Sequence, residues 1–210
     1  MSELQDRLAR GTVAVGVELS HLQLEQLLEL GRLLLDWNTR MNLTAIRELP
    51  GVVDRHLVDS LAVAPHLVPG SLVDVGTGAG FPGLPLALVR SDLAVTLLES
   101  IHKKTSFVRA AARALGLQVT VCTERLERWG PLAKPQQNAV SRATFAPTEW
   151  VRRGTPLLAP SGVLIAMTTP AEPNPETIPG FSFSSHDYRL PDDTLRVLWR
   201  FERGILGCFT

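Results

Sequence analysis

Apolar residues recur at helical spacing from Ser20 onward. Leu22, Leu24, Leu27, Leu28, Leu30, Leu33, Leu34, Leu35 and Trp37 are interleaved with Glu25, Glu29 and Arg32. The pattern predicts an amphipathic helix opened by Ser20, whose hydroxyl can accept from backbone N–H groups left unpaired at a helix start. Asn38 to Thr44 is polar and turn-like. After Pro50 a second helical pattern, Val53, Leu57, Leu61, Val63 and Ala64, runs toward Pro65 and Pro69, which cannot continue a helix. Residues 1–69 therefore read as an N-terminal helical cap.

Beyond Gly70 the period changes. Leu72-Val73-Asp74-Val75 is a short apolar run ending in glycines, as a strand buried on both faces does. Similar runs at 95–98, 118–121, 139–141 and 163–166 alternate with helical patterns near 83–90, 103–115 and 147–158. That alternation predicts βαβ units and an α/β fold, with a mostly parallel sheet between helices. Pro170, Pro173, Pro175 and Pro179 make 168–180 a long surface loop. Two further strands, 181–188 and 195–201, follow around a turn at Pro191-Asp192-Asp193, for about seven in all. Residues 70–210 read as one compact domain behind the cap.

Size and charge narrow the function classes. A chain of 210 residues, 45% hydrophobic and 20% charged, is long enough for one ordinary core and too apolar to be disordered. Lys plus Arg total 21 and Asp plus Glu total 21, so no global field draws the protein to polyanions and any such site must be a local patch. Charged residues break every leucine-rich stretch, which argues against a membrane span. The polar, acid-bearing start Met1-Ser2-Glu3-Leu4-Gln5-Asp6 lacks the features of a signal or transit peptide, so the expected location is the cytoplasm. Cys122 and Cys208 are too few for a disulfide framework and read as structural thiols. No metal is expected.

The chemistry concentrates in Asp74-Val75-Gly76-Thr77-Gly78-Ala79-Gly80-Phe81-Pro82-Gly83, a glycine-rich turn from the first parallel strand into a helix. Glycines there let backbone pass close beneath a ligand. A dinucleotide fingerprint needs a small residue where Phe81 stands, and a phosphate-cradling loop needs a Gly-Lys-Ser/Thr ending that is absent. Asp74 followed by Gly76-x-Gly78-x-Gly80 is instead the pattern of S-adenosylmethionine-dependent methyltransferases. An acid closing the next strand can accept both ribose hydroxyls of such a cofactor. Glu99 stands there, 99 − 76 = 23 positions past the first loop glycine.

Four motifs in order resemble one family. Met41-Asn42-Leu43-Thr44, Arg55-His56-Leu57-Val58-Asp59-Ser60-Leu61, the Asp74–Gly83 loop and Val140-Ser141-Arg142-Ala143 are similar to those of bacterial 16S ribosomal RNA guanine-N7 methyltransferases of the glucose-inhibited-division-B type. The likeness runs from about residue 37 to about residue 201. It implies a Rossmann-like class I methyltransferase sheet preceded by helices. The implied activity is methylation of N7 of a guanine in the 530 loop of 16S ribosomal RNA, within a small subunit or its precursor. Carried over position by position, Gly76 and Phe81 would line the cofactor, Leu126 and Glu127 would meet its adenine, and Arg142 would close the site. The chemistry asks little of the protein. N7 carries an available lone pair and no proton, so no general base is obligatory, and alignment with electrostatic support can do most of the work.

RNA contact must come from local features. Candidates are Asn42, Arg55, His56, Lys103, Lys104 and Arg196, with Arg109, Arg113 and Arg200 as further rim charges, although each basic residue alone is as readily a solvated one. His56 and Asp59, with Arg55, can equally form a network joining cap to sheet, and Asn42 can be a turn residue. Arg142 can hold the cofactor carboxylate or the guanine edge, or serve in a structural ion pair. The chain also departs from the family. Met167-Thr168-Thr169-Pro170 stands where Met-Lys-Gly is usual, and Arg196-Val197 replaces an Arg-His pair, which removes two expected RNA contacts and leaves the cofactor loop intact. Two other functions remain compatible: methylation of a small molecule or protein, and a non-catalytic ribosome-associated module. The absence of an Asn/Asp-Pro-Pro-aromatic turn, and of a motif around Cys122, argues against adenine amino-group and pyrimidine carbon-5 methylation.

Overall fold

The computed structural model describes residues 2–204 except Ala143, Asn174 and Glu176. Met1, Ala143 of the fourth motif and Cys208 thus lie outside the described residues. The chain opens with a helix the hydrophobic pattern does not announce, α1 (Glu3–Ala14). Its sequence is largely polar, and it is fixed by a Ser2/Gln5 capping box, by burial of Leu8 and by Arg7, whose Nε donates to Asp54 Oδ1 at 2.8 Å. Helix α2 (His21–Met41) starts at Ser20 as expected, with Ser20 Oγ accepting from the Gln23 amide, and it stops at Asn42, which takes a left-handed conformation (φ 50°). The next segment is expected as a plain helix. It is instead α3 (Leu49–Val52), a π-helical stretch over Val53–Val58, and α4 (Asp59–Leu61). The wider turn changes the angular spacing of the side chains that Arg55, His56 and Asp59 project.

The strands are β1 (Gly70–Val75), β2 (Leu93–Leu98), β3 (Thr120–Cys122), β4 (Gln136–Arg142), β5 (Leu158–Thr168), β6 (Phe181–Arg189) and β7 (Leu195–Arg203). The connecting helices are α5 (Gly83–Val89), α6 (His102–Ala114), α7 (Leu126–Trp129) and α8 (Pro147–Gly154). The sheet order is β3-β2-β1-β4-β5-β7-β6. Strands β1 to β5 pair in parallel, and β7 runs antiparallel to both of its neighbours. β3 begins two residues later than expected because α6 ends in a turn through Gly116 (φ 67°), with the Leu117 amide bonded back to Ala112 O. α8 tightens after Gly154 into a 3₁₀ turn over Thr155–Leu157, so the helical run matches the segment expected near 147–158.

Alternation along the central strands divides the core. Leu72, Val95, Leu97, Val140, Ile165 and Leu198 face one cluster, which also holds Leu27, Leu34, Leu57 and Leu61 of the cap. Val73, Val75, Ala139, Leu164, Ala166 and Trp199 face the other, beneath Trp150 and Leu157. Cys122 is partly buried against that second cluster. Chain order reverses between β1 and β4, so a crevice opens outside their carboxyl ends, the place where open α/β sheets bind ligands.

Candidate active site at the carboxyl edge of the sheet

The glycine loop is tied down from below. Asp74 is fully buried, and its Oδ2 accepts from Thr77 Oγ1 at 2.6 Å and from the Gly83 amide at 2.8 Å. Its Oδ1 has no partner among the described residues. Burial pushes the carboxyl up to a pKa of about 6, against the opposing pull of those hydrogen bonds. Asp74 thus organises the loop and lines neither of the two cavities described below. The Gly76 and Thr77 amides both donate to Leu98 O, stitching the loop to the end of β2. Gly76 and Gly78 have φ of 71° and 61°, which side-chain-bearing residues resist. Their surroundings differ: a Cβ on Gly76 would lie 2.1 Å from Thr144 Oγ1, whereas one on Gly78 would meet nothing nearer than Gly76 O at 4.0 Å. Gly80 is a packing position, where a Cβ would lie 2.4 Å from Leu84 Cδ1.

A cavity of about 350 Å³ opens beside the loop, lined by Gly76, Leu98, Glu99, Ile101, Leu126 and Phe145 among others. Glu99 is almost fully buried at its floor. Its Oε2 accepts from the Gly78 amide at 3.1 Å and its Oε1 from the Ile101 amide at 3.0 Å, with Lys104 Nζ 3.7 Å from Oε2. Each carboxylate oxygen keeps a further lone pair for a ligand donor. Leu126 presents an apolar side chain at the mouth. Glu127 lies in its first turn, with its own backbone amide and Arg153 holding its carboxyl below the usual range. Volume and lining suit a ligand with one apolar face and several polar groups, since Ser100, Lys104, Glu124, Arg125 and Thr144 also line the cavity. A buried carboxylate for ribose hydroxyls, open space above Gly78 and apolar walls at Leu98, Ile101, Leu126 and Phe145 together fit S-adenosylmethionine.

A second cavity of about 310 Å³ is lined by Arg55, His56, Asp59, Arg142, Met167, Thr168, Thr169, Tyr188 and Arg196. Asp59 is its hub: Oδ2 accepts from Arg142 Nη1 at 3.0 Å and Oδ1 from Tyr188 Oη at 2.8 Å, and Arg196 Nε stands 3.7 Å away. Arg142 also donates to Arg55 O at 3.1 Å and to His56 Nδ1 at 3.2 Å. A guanidinium has no lone pair to offer, so Nδ1 is the acceptor and the imidazole proton sits on Nε2, facing Thr44 Oγ1 at 2.8 Å. Burial, and then the Arg142 charge, lower the His56 pKa to about 3, which keeps the ring neutral. Thr144 Oγ1 bonds to both Gly76 O and Arg142 O and so joins the walls of the two cavities.

These placements sort the candidates. Arg55, His56, Arg142 and Arg196 converge on the second cavity, although the Arg55 guanidinium itself turns to Asp192, with Nε 2.7 Å from Oδ2. His56 and Asp59 do tie cap to sheet, through Arg142. Phe81 sits between these groups: His56 stacks on it and Arg142 Cζ lies 5.7 Å from its ring centroid. Lys103 and Lys104 stand elsewhere, on the first turn of α6, Lys104 lining the first cavity. Arg109 is bonded to Val121 O and Thr123 Oγ1, and Arg200 to His66 O and Glu202. Asn42 is the helix-stop residue, while Asn38, expected to open a turn, lies in the last turn of α2 and binds the backbone at Leu43, Thr44 and Ile46. Tyr188, Thr144 and Phe145 also line these cavities, and no local sequence signal marks them as site residues.

Comparisons with known proteins agree with this arrangement. The family model described as rRNA small subunit methyltransferase G matches residues 23–174. A ribosomal RNA small subunit methyltransferase G from Chromobacterium violaceum is 38% identical over 200 residues, covering 87% of this chain and 95% of that protein. Its counterpart from Halorhodospira halophila is 45% identical over 153 residues, 72% of each chain. Among solved structures, an rRNA methylase from Streptococcus thermophilus superposes with a TM-score of 0.52 at 15% identity, covering 68% of this chain and 92% of that one, a likeness of fold alone. With its four motifs, its glycine loop facing Glu99 and a family match across most of its length, the chain belongs to the GidB family of small-subunit ribosomal RNA methyltransferases.

Proposed function

We propose that this protein transfers the methyl group of S-adenosylmethionine to N7 of a guanine in the 530 loop of 16S ribosomal RNA, presented in a small ribosomal subunit or its precursor in the cytoplasm. The observation that carries the reading is the Glu99 carboxylate, held against the Gly78 amide at the floor of a cavity beside the glycine loop. In this reading residues 70–210 form the methyl-transfer domain and residues 1–69 the cap that supplies His56 and Asp59.

S-adenosylmethionine, when bound, supplies an electrophilic methyl group on a sulfonium. Glu99 accepts the ribose hydroxyls, Leu98, Ile101, Leu126 and Phe145 face the adenine, and the glycine loop leaves room for close approach. Thr144 Oγ1, bonded to Gly76 O and Arg142 O, links the lining of this cavity to that of the second, where the base would be held. No residue has to take a proton, because N7 has none. His56 is held neutral and bonded on both nitrogens, which suits a structural role rather than proton transfer. Rate enhancement then comes from alignment of two reactants in fixed cavities. With no net charge overall, RNA binding depends on Arg55, Arg142 and Arg196 together with RNA shape, and it is expected to weaken as salt rises.

The test is to incubate the protein and cofactor with undermodified small subunits, naked 16S RNA and free nucleosides, then map methyl groups. N7-methylguanine in the 530 loop is expected. Methylation at adenine or a pyrimidine, or of free small molecules alone, would overturn the reading.

A further inference from the structure

We infer that the second cavity is the pocket for the target base, and that it reads guanine through Arg196, which donates to O6, and Thr168, whose hydroxyl meets the N1–H and amino edge. The inference rests on the functional reading above and assigns the substrate side of the same site.

Charge is the first support. One carboxylate, Asp59, serves two guanidinium groups, Arg142 at 3.0 Å and Arg196 at 3.7 Å. Arg55 is matched by Asp192, His56 is neutral, and burial and the Asp59 charge raise the Tyr188 phenol above its ordinary range, so it stays a protonated donor. The cavity therefore holds one surplus positive charge. Arg142 spends its donors on Asp59, Arg55 O and His56. Arg196 makes only the looser approach to Asp59 among the described residues, which leaves N–H donors for a ligand.

The second support is an unmet hydrogen bond. Thr168 lines the cavity at the end of β5, and its Oγ1 is buried with no partner among the described residues, so it meets a ligand after a turn about χ1. A buried hydroxyl without a partner is costly, and a ligand group that supplies one recovers that cost. At Thr168 this pocket offers a neutral hydroxyl beside the Arg196 cation.

The pattern discriminates. Guanine presents O6 as an acceptor and N1–H and N2–H₂ as donors, matching a guanidinium on one side and a hydroxyl on the other. Adenine presents an amino donor where O6 would be, opposing donor to donor. A contact to O6 alone leaves the N7 lone pair free for the methyl group, unlike a bidentate arginine contact that occupies both. A cavity of about 310 Å³ walled by Met167 and Tyr188 suits a planar base better than a phosphate, which would leave the apolar wall unused.

The chain contains three methionines, and Met167 lines the pocket, so a ¹³C-methyl label on methionine, assigned with Met167→Leu, gives a local reporter. Guanosine monophosphate titrated into the full-length protein is expected to shift the Met167 signal. Adenosine monophosphate and inorganic phosphate at equal concentration are expected to leave it in place. Arg196→Gln and the near-isosteric Thr168→Val should each weaken the guanosine monophosphate response by about tenfold, while calorimetric affinity for S-adenosylmethionine stays unchanged. A response matched by adenosine monophosphate or phosphate, no response at all, or a response indifferent to both variants would overturn the pocket assignment. The wild-type comparison decides the matter even where a variant fails to fold. Failure of the wild-type protein to bind S-adenosylmethionine would instead sink the functional reading, whatever the nucleotide titration returned.

Discussion

The imidazole of His56 lies on the ring of Phe81, with 5.0 Å between centroids and 27° between planes. One residue belongs to the π-helical stretch of the cap and the other to the glycine loop, so this contact couples the cap to the cofactor side of the sheet. It also sets a pH dependence. Burial and Arg142 lower the His56 pKa from 6.5 to about 3. The unfolded chain therefore binds a proton first as pH falls, and stability contributed by neutral His56 is complete above about pH 6.5 and lost progressively toward pH 3. His56→Gln, which keeps one acceptor and one donor, should flatten this part of the stability profile by a few kcal/mol. Denaturant melts between about pH 4 and about pH 7 check it. An unchanged slope would mean that His56 does not carry the dependence.

Gly76 and Gly78 should answer differently to the same added methyl. Gly76→Ala drives a Cβ into Thr144 at 2.1 Å, and Gly78→Ala places one in open space above the loop. Both pay about 1 kcal/mol for a positive φ. Gly76→Ala should lower the melting temperature well beyond that. Gly78→Ala should stay folded and lose S-adenosylmethionine affinity, and Gly78→Val should lose more. Calorimetric titration of the folded variants is the measurement, and undiminished affinity in Gly78→Val would show that no ligand passes over this residue.

Glu99 does two jobs that one substitution mixes. It latches Gly78 and Ile101 through their amides, and its remaining lone pairs face the cavity. Glu99→Ala should cost about 1–3 kcal/mol of cofactor binding. With a 2′,3′-dideoxy analogue of the cofactor the loss should shrink, and what remains measures the latch. Equal losses with the two ligands would leave Glu99 as a loop brace with no ribose contact.

Much of this was legible in residue order because the signals were local. Strand-end Asp74, the glycine run and the apolar alternation from Leu72 to Ala166 each follow from short-range sterics and burial. Helix α1 was not legible: five of its first eight residues, Glu3, Gln5, Asp6, Arg7 and Arg10, are polar or charged, and what ties it to the rest of the cap is Arg7 reaching Asp54 across 47 positions. The π-helical stretch was equally silent, since periodicity does not separate it from an ordinary helix. The second cavity joins residues 55–59 to 142, 167–169, 188 and 196, and no spacing rule relates such distant positions. Resemblance pointed to Arg142 but not to its environment, and the side chain enters this second cavity, bound to Asp59, rather than the first.

That environment decides what Arg142→Ala should do. The change strips Asp59 of its 3.0 Å partner and removes the donors to His56 Nδ1 and Arg55 O, in a region where the Asp59 side chain is only 5% exposed. Breaking a buried pair from one side costs about 3–5 kcal/mol, because the abandoned charge stays desolvated. Arg196 and Tyr188 still touch Asp59 and should hold the loss toward the lower end. Methyl transfer and thermal stability are therefore expected to fall together in Arg142→Ala. Arg142→Lys restores the charge without the forked geometry, and should recover part of the stability while methyl transfer stays low, since one ammonium cannot hold Asp59, Arg55 O and His56 in place at once. Thermal melts paired with transfer rates on undermodified small subunits test this. Full stability with lost transfer in Arg142→Ala would show that its guanidinium acts by touching cofactor or base directly, and that the contacts to Asp59 and His56 are dispensable to the fold.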